Sequence, residues 1–178
     1  MKIRITFGLA AIVMAIALAG CQSVRKALDL NTTAVVNFTA EEDINPDPDG
    51  RPSPVVIHIF KLADDRQFRR QDFLSLYESP AARLGKDLIG TVVLKEITPG
   101  ESRNEVIKLT PDVKYLGVMA EVSQYRDADP ILILSVLEHN ENSFRISISG
   151  NHISVPEPAD MTERDGSLNR AYKENTRR

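Results

Sequence analysis

The chain has 178 residues, a formal charge of −3 and a single cysteine, Cys21. That length allows one compact domain with tails, the charge lacks the basic excess that nucleic-acid binding needs, and one cysteine excludes an internal disulfide. Tryptophan is absent and aromatics make up only 6%, so a core must rest on Val, Ile and Leu, whose branched side chains favour pleated sheets.

Lys2 and Arg4 open the chain, and the apolar run Phe7–Ala19 follows them. A charged start, a short apolar stretch and small residues ahead of a cut predict a secretory signal over residues 1–20. The run is well short of the ~20 residues that a spanning helix needs. Leu18-Ala19-Gly20-Cys21 resembles the bacterial lipobox, in which the thiol receives a diacylglycerol, the signal is cut off between Gly20 and Cys21, and the new amine is acylated. Losing Lys2 and Arg4 leaves the mature chain at about −5. One myristoyl chain binds a membrane only marginally, at ~0.8 kcal/mol per buried CH₂, whereas three acyl chains hold it firmly. Residue 22 is Gln rather than Asp, which by the bacterial sorting rule implies the outer membrane. Residues 21–32 then form an acylated linker that reaches roughly 20 Å, and at most ~40 Å.

Residues 33–155 are expected to form the folded domain. Thr33–Ala40 predicts a strand with Ala34, Val36 and Phe38 on one face. Residues 41–53 (Glu41, Glu42, Asp43, Ile44, Asn45, Pro46, Asp47, Pro48, Asp49, Gly50, Arg51, Pro52 and Ser53) cannot continue a sheet and predict an exposed, acidic, proline-stiffened loop. Pro54–Leu62 is apolar on both faces apart from His58 and Lys61, as a central strand would be. Over residues 63–79 the pattern turns helical. Asp64 and Gln67 are placed as a capping box, Phe73, Leu76 and Tyr77 share a face, and a break is expected near Gln71-Asp72. Ser79-Pro80 should end that insert. Strands return at 88–96, 105–109, 115–124, 131–138, 144–149 and 153–155, with turn residues between them. From Pro156 to Arg178 the pattern fades into a polar tail, predicted to be disordered or loosely attached. Short strands punctuated by turns, with one helical insert, predict an all-β sandwich.

The motifs point away from catalysis. Asn45-Pro46-Asp47-Pro48-Asp49-Gly50 imitates the start of a calcium loop, but the twelfth position, where a Glu is required, holds Val56. His58, His139 and His152 lack ligand spacing, so no metal is expected. No nucleophile elbow or phosphate loop occurs. The two N-x-T sequons, at Asn31 and Asn37, are chance matches behind a bacterial signal. No cofactor is expected beyond the covalent diacylglycerol and N-acyl chain on Cys21. The five acids of the loop predict salt-sensitive association with a partner.

The stretch NPDPDGRPSPVVIHIFKL, residues 45–62, resembles the signature of the type VI secretion outer-membrane lipoproteins, the TssJ/VasD/SciN family. There an Asn, a Gly-x-Pro-x-Pro and a Val-x-Ile-aromatic-x-Leu strand follow one another. The likeness continues through Gln71-Asp72-Phe73, Tyr77, Gly85, Asp87-Leu88-Ile89, Lys114–Val118 and Ala120. His58, Phe60 and Lys61 depart from the family's usual Arg, Tyr and Gln. The resemblance implies a transthyretin-like two-sheet sandwich on the periplasmic face of the outer membrane, with no enzymatic activity. It also implies a partner, the periplasmic C-terminal domain of the inner-membrane protein TssM, gripped through the loop at 41–53. Two other readings fit the same features: a transthyretin-like carrier of a small ligand, and a generic outer-membrane assembly lipoprotein.

Overall fold

The computed structural model describes residues 32–156. The predicted signal, the acylation site at Gly20 and Cys21, the linker short of Thr32 and the tail past Pro156 lie outside them.

Eight strands form two four-stranded sheets. They are β1 (Thr32–Ala40), β2 (Val56–Leu62), β3 (Leu88–Val93), β4 (Ser102–Leu109), β5 (Tyr115–Glu121), β6 (Ile131–Ser135), β7 (Glu141–Ser149) and β8 (His152–Ser154). One sheet has the order β4-β1-β7-β8 and the other β3-β2-β5-β6. β1 lies between an antiparallel partner, β4, and a parallel one, β7. Its side chains alternate as the sequence predicts, with Ala34, Val36 and Phe38 fully buried. β2 is central in its sheet, paired with β3 on one side and β5 on the other, and both of its faces are covered. Ile57 and Ile59 face the other sheet, while Phe60 and Leu62 face the helical insert. The molecule therefore has three layers: sheet, sheet and helices.

The predicted insert is shorter-stepped than one helix. A single 3-10 turn (Phe68–Arg70) precedes α1 (Phe73–Glu78) and α2 (Pro80–Leu84). The capping box at Asp64 does not form, because its carboxylate accepts from the Arg66 backbone N–H at 2.9 Å and pairs with the Arg66 guanidinium at 2.8 Å. Asp72 caps instead, accepting from the Ser75 N–H at 2.7 Å, which is why the chain breaks at Gln71-Asp72. Nor does Pro80 end the insert. It occupies the first position of α2, where a missing N–H costs nothing. Arg66 and Arg69 face water and pair with Asp64 and Asp65.

The residue that seats this layer is Phe68. It is 1% exposed, lies 5.5 Å from the Phe60 ring, and presses on the backbone of β5 at Gly117. A Cβ there would come within 2.4 Å of the Phe68 ring. Glycine at 117 is thus what lets an aromatic ring settle on the sheet. Beside it, His58 pairs with Glu121 across β2 and β5.

Four of the eight described strands, β3, β5, β6 and β8, end earlier than the sequence predicts. β3 stops at Val93 because Ile97 then bridges to Val55 outside the ladder, and β5 stops at Glu121, where Ser123 turns to bond the neighbouring loop. β4 and β7 begin earlier than predicted, at Ser102 and Glu141, since polar residues on an outer face still fill a ladder.

Candidate functional site

The loop at 41–53 crosses from one sheet to the other at the end of the sandwich opposite the point where the chain enters β1. The steps of ~3.3 Å between the first and last of the nine residues of β1 put that entry and the loop about 26 Å apart.

Most of the loop is exposed, but Ile44 and Asn45 are not, and this corrects the expectation of a wholly exposed segment. Ile44 is fully buried in the inter-sheet core. Asn45 is 5% exposed with φ of +46°, a conformation asparagine tolerates better than most residues. Its N–H donates to Gly150 O at 2.8 Å. Its Oδ1 accepts from the Ser123 N–H at 2.7 Å, and its Nδ2 donates to Pro54 O at 2.9 Å. One residue thus ties the loop to the segments after β5 and β7. Gln124 adds a second tie, donating to Pro46 O at 2.9 Å and Asp47 O at 3.2 Å.

Residues 47–51 close on themselves. Asp47 Oδ1 accepts from the N–H groups of Asp49 and Arg51, both at 2.9 Å, and Oδ2 accepts from Arg51 Nε at 2.8 Å. The Gly50 N–H returns to Asp47 O at 2.9 Å, with Gly50 at φ +79°, where a side chain would be strained. Arg51 also reaches Asp49 at 3.0 Å. The backbone N–H of Arg51, then its guanidinium, holds the Asp47 carboxyl below its ordinary range. Arg51 therefore pairs with both acids, offsetting one of their two charges. Prolines 46, 48 and 52 fix the remaining φ angles.

The outward charge of the loop belongs to Glu41, Glu42 and Asp43. These three side chains are exposed and, with Ser149, line a notch of about 370 Å³. None of them forms an ion pair among the described residues. The backbone of Glu41 is fixed, its N–H donating to Ile148 O at 2.9 Å and its O accepting from the Gly100 N–H at 3.2 Å, while the Asp43 side chain accepts from the Gly150 N–H at 3.1 Å through Oδ1. The Glu42 carboxylate lies over Gly100, where a Cβ would come within 2.7 Å of it.

The site thus holds a stiff loop, three carboxylates that make no ion pair among the described residues, and a turn in which one arginine bridges two aspartates, an arrangement suited to protein contact. Sequence reasoning missed the contribution of Ser123 and Gln124, whose link to the loop is made over more than 70 residues of chain. It also missed Tyr125, which stacks on Phe73 at 5.0 Å, with Phe73 in turn stacked on Tyr77 at 5.8 Å.

Residues 32–151 match the family described as type VI secretion lipoprotein, VasD, EvfM, TssJ. Among solved structures, the T6SS lipoprotein TssJ1 from Pseudomonas aeruginosa is 26% identical with a TM-score of 0.64, over 72% of this chain and 98% of that one. Lip from Serratia marcescens, a membrane-bound component of the type VI secretion system, is 22% identical with a TM-score of 0.66, over 74% and 100%. A chain in the structure described as T6SS protein TssM C-terminal domain (869-1107) from EAEC is 23% identical with a TM-score of 0.60, over 72% and 100%. No curated protein matches the chain by sequence.

Proposed function

Because this chain belongs to the type VI secretion lipoprotein family, we propose that it is a structural anchor that catalyses no reaction. Residues 1–20 export it, acylated Cys21 holds it to the periplasmic face of the outer membrane, and residues 21–32 are the tether. The loop at 41–53 binds the periplasmic C-terminal domain of a TssM-like inner-membrane protein, fixing an envelope-spanning complex. The observation that supports this reading is that β1 separates Thr32, its first residue, from the loop by about 26 Å. A lipid anchor at one end leaves the loop facing away from its membrane. The partner is supported by the likeness to a chain in a structure described by the TssM C-terminal domain, and by a loop already ordered before it meets anything. Ordering a residue costs roughly 1–2 kcal/mol, so a preformed loop binds at lower entropic cost.

Calorimetry with the purified periplasmic domain of a TssM-like protein tests the contact. Glu41→Lys, Glu42→Lys and Asp43→Lys together should weaken association at least ~10-fold, with the larger effect at low salt. Asp47→Asn with Asp49→Asn should do less, because Arg51 engages both carboxylates and offsets one of their charges. Unchanged affinity in the triple variant removes the acidic face from the account. The anchor is tested separately: Cys21→Ser should abolish incorporation of labelled palmitate and type VI secretion together, and normal secretion by the unlabelled protein refutes it.

A further inference from the structure

At the end where the chain enters β1, the sandwich finishes in two neighbouring turns. Residues 110–113 follow β4, and residues 136–140 join β6 to β7. Lys114 ties the two together: its Nζ donates to Pro111 O at 3.2 Å and pairs with Glu138, and its backbone O accepts from the Val136 N–H at 2.9 Å. The turns expose Pro111 and Leu137, and Leu137, at 68%, is the most exposed large apolar side chain among the described residues. The second turn is fastened to the entry strand. Asn142, 6% exposed, accepts from the Leu137 N–H at 2.7 Å and donates to Leu137 O at 3.0 Å and to Thr33 O at 3.2 Å. His139, at φ +54°, donates its N–H to Thr32 Oγ1 at 3.0 Å.

We propose that this end of the domain rests on the membrane that holds it, with Leu137 entering the lipid interface. The proposal rests on the acyl anchor at Cys21 and extends it from attachment to orientation. What selects lipid as the occupant is where the tether ends. Thr32 follows Cys21 by eleven residues, a coil that reaches roughly 20 Å, and Thr32 is the residue to which the leucine turn is fastened. A lone exposed apolar residue elsewhere, such as Val93 at the far end of β3, needs no such explanation.

One leucine holds a free protein to lipid only weakly. A short flexible tether makes the second contact intramolecular, with an effective concentration on the order of millimolar, so a small apolar tip suffices. Backbone groups that face hydrocarbon must also be satisfied within the protein, and Asn142 binds both the N–H and the C=O of Leu137. Charge favours the same orientation. Lys61, Lys108 and Lys114 stand near this end against Asp112, Glu138 and Glu141, whereas the opposite end carries the exposed acids Glu41, Glu42 and Asp43, which an anionic leaflet repels. Seated this way, the domain holds the loop at 41–53 on the side away from the lipid instead of letting it swing on the tether.

Tryptophan is absent from the chain, so one introduced tryptophan reports one position. The mature acylated chain is purified in detergent and reconstituted in vesicles of phosphatidylethanolamine and phosphatidylglycerol, with and without brominated acyl chains. Leu137→Trp should lose half or more of its fluorescence to the brominated lipid, and Val93→Trp almost none. With Leu137 native, Val93→Trp also reports the motion of the whole domain. Its rotational correlation time should be several-fold longer than in the double variant that adds Leu137→Asp. Flotation with the vesicles reads the anchor separately. A chain that floats yet shows equal quenching at the two positions, or equal mobility with leucine and aspartate, overturns the proposal and leaves the anchor standing. A chain that fails to float overturns both. A blue shift of Leu137→Trp that rises with protein density on the vesicle, without quenching, also overturns it and assigns the turn to a second copy.

Discussion

Replacing Asn45 with alanine removes the acceptor of the Ser123 N–H and the donor to Pro54 O, both in part-buried positions. An unsatisfied buried partner costs ~1–3 kcal/mol, and at part-buried positions the lower part of that range, ~1–2 kcal/mol each, gives about 2–4 kcal/mol for the two. Alanine at φ +46° adds roughly 1 kcal/mol, for a total of about 3–5 kcal/mol against the 5–15 kcal/mol that holds an ordinary domain. Asn45→Gly keeps the backbone geometry but not the side-chain bonds, so it should lose about 2–4 kcal/mol and separate the two effects. Urea unfolding reads this directly: at ~1–3 kcal/mol per molar, the alanine variant's midpoint should fall by roughly 2 M. The Ser123 amide should exchange faster, and affinity for the proposed partner should drop with it. A loss below ~1 kcal/mol with the Ser123 amide still protected would refute the idea that this residue pins the loop.

At the other end of the fold, Gly117→Ala should cost about 1–3 kcal/mol by overpacking against Phe68. Phe68→Leu should recover part of that in the double variant, and strictly additive losses in a denaturant cycle would show that the ring is not the obstacle. Asp47 titrates in the folded protein below its ordinary value of 3.8. Its stabilising effect is therefore complete above that value and is lost as pH falls through the lower folded one. Thermal melts of the wild type and of Asp47→Asn should accordingly converge as pH drops below ~3.8, and curves separated by a constant gap would contradict it.

How much was legible can be seen in single residues. The alternation of Ala34, Val36 and Phe38 announced β1, and the doubly apolar run before Leu62 announced a central strand, because side-chain period is a local property. The parallel pairing of β1 with β7 leaves no local mark. Phe68 sits among Arg66, Gln67, Arg69 and Arg70, so its neighbours disguised it as surface. Asn45 read as loop because its type is polar, whereas its burial depends on Ser123 and Gly150, far along the chain. The pairing of Asp47 with Arg51 also went unread, because all five acids of the loop were counted as outward charge and a turn has no fixed side-chain period. Cys21 and Gly20 rest on sequence alone.

The position of β1 between two ladders has a mechanical side. A lipid pulling at Thr32 and a partner pulling beyond Ala40 would load this strand along its own axis. Its bonds to β4 and β7 run crosswise to that axis, so they must yield together in shear rather than one at a time as in an opening zipper. Under such a load, lifetime is set by the unfolding rate rather than by equilibrium stability. A domain of ordinary thermodynamic stability resists such a load for as long as its unfolding rate allows.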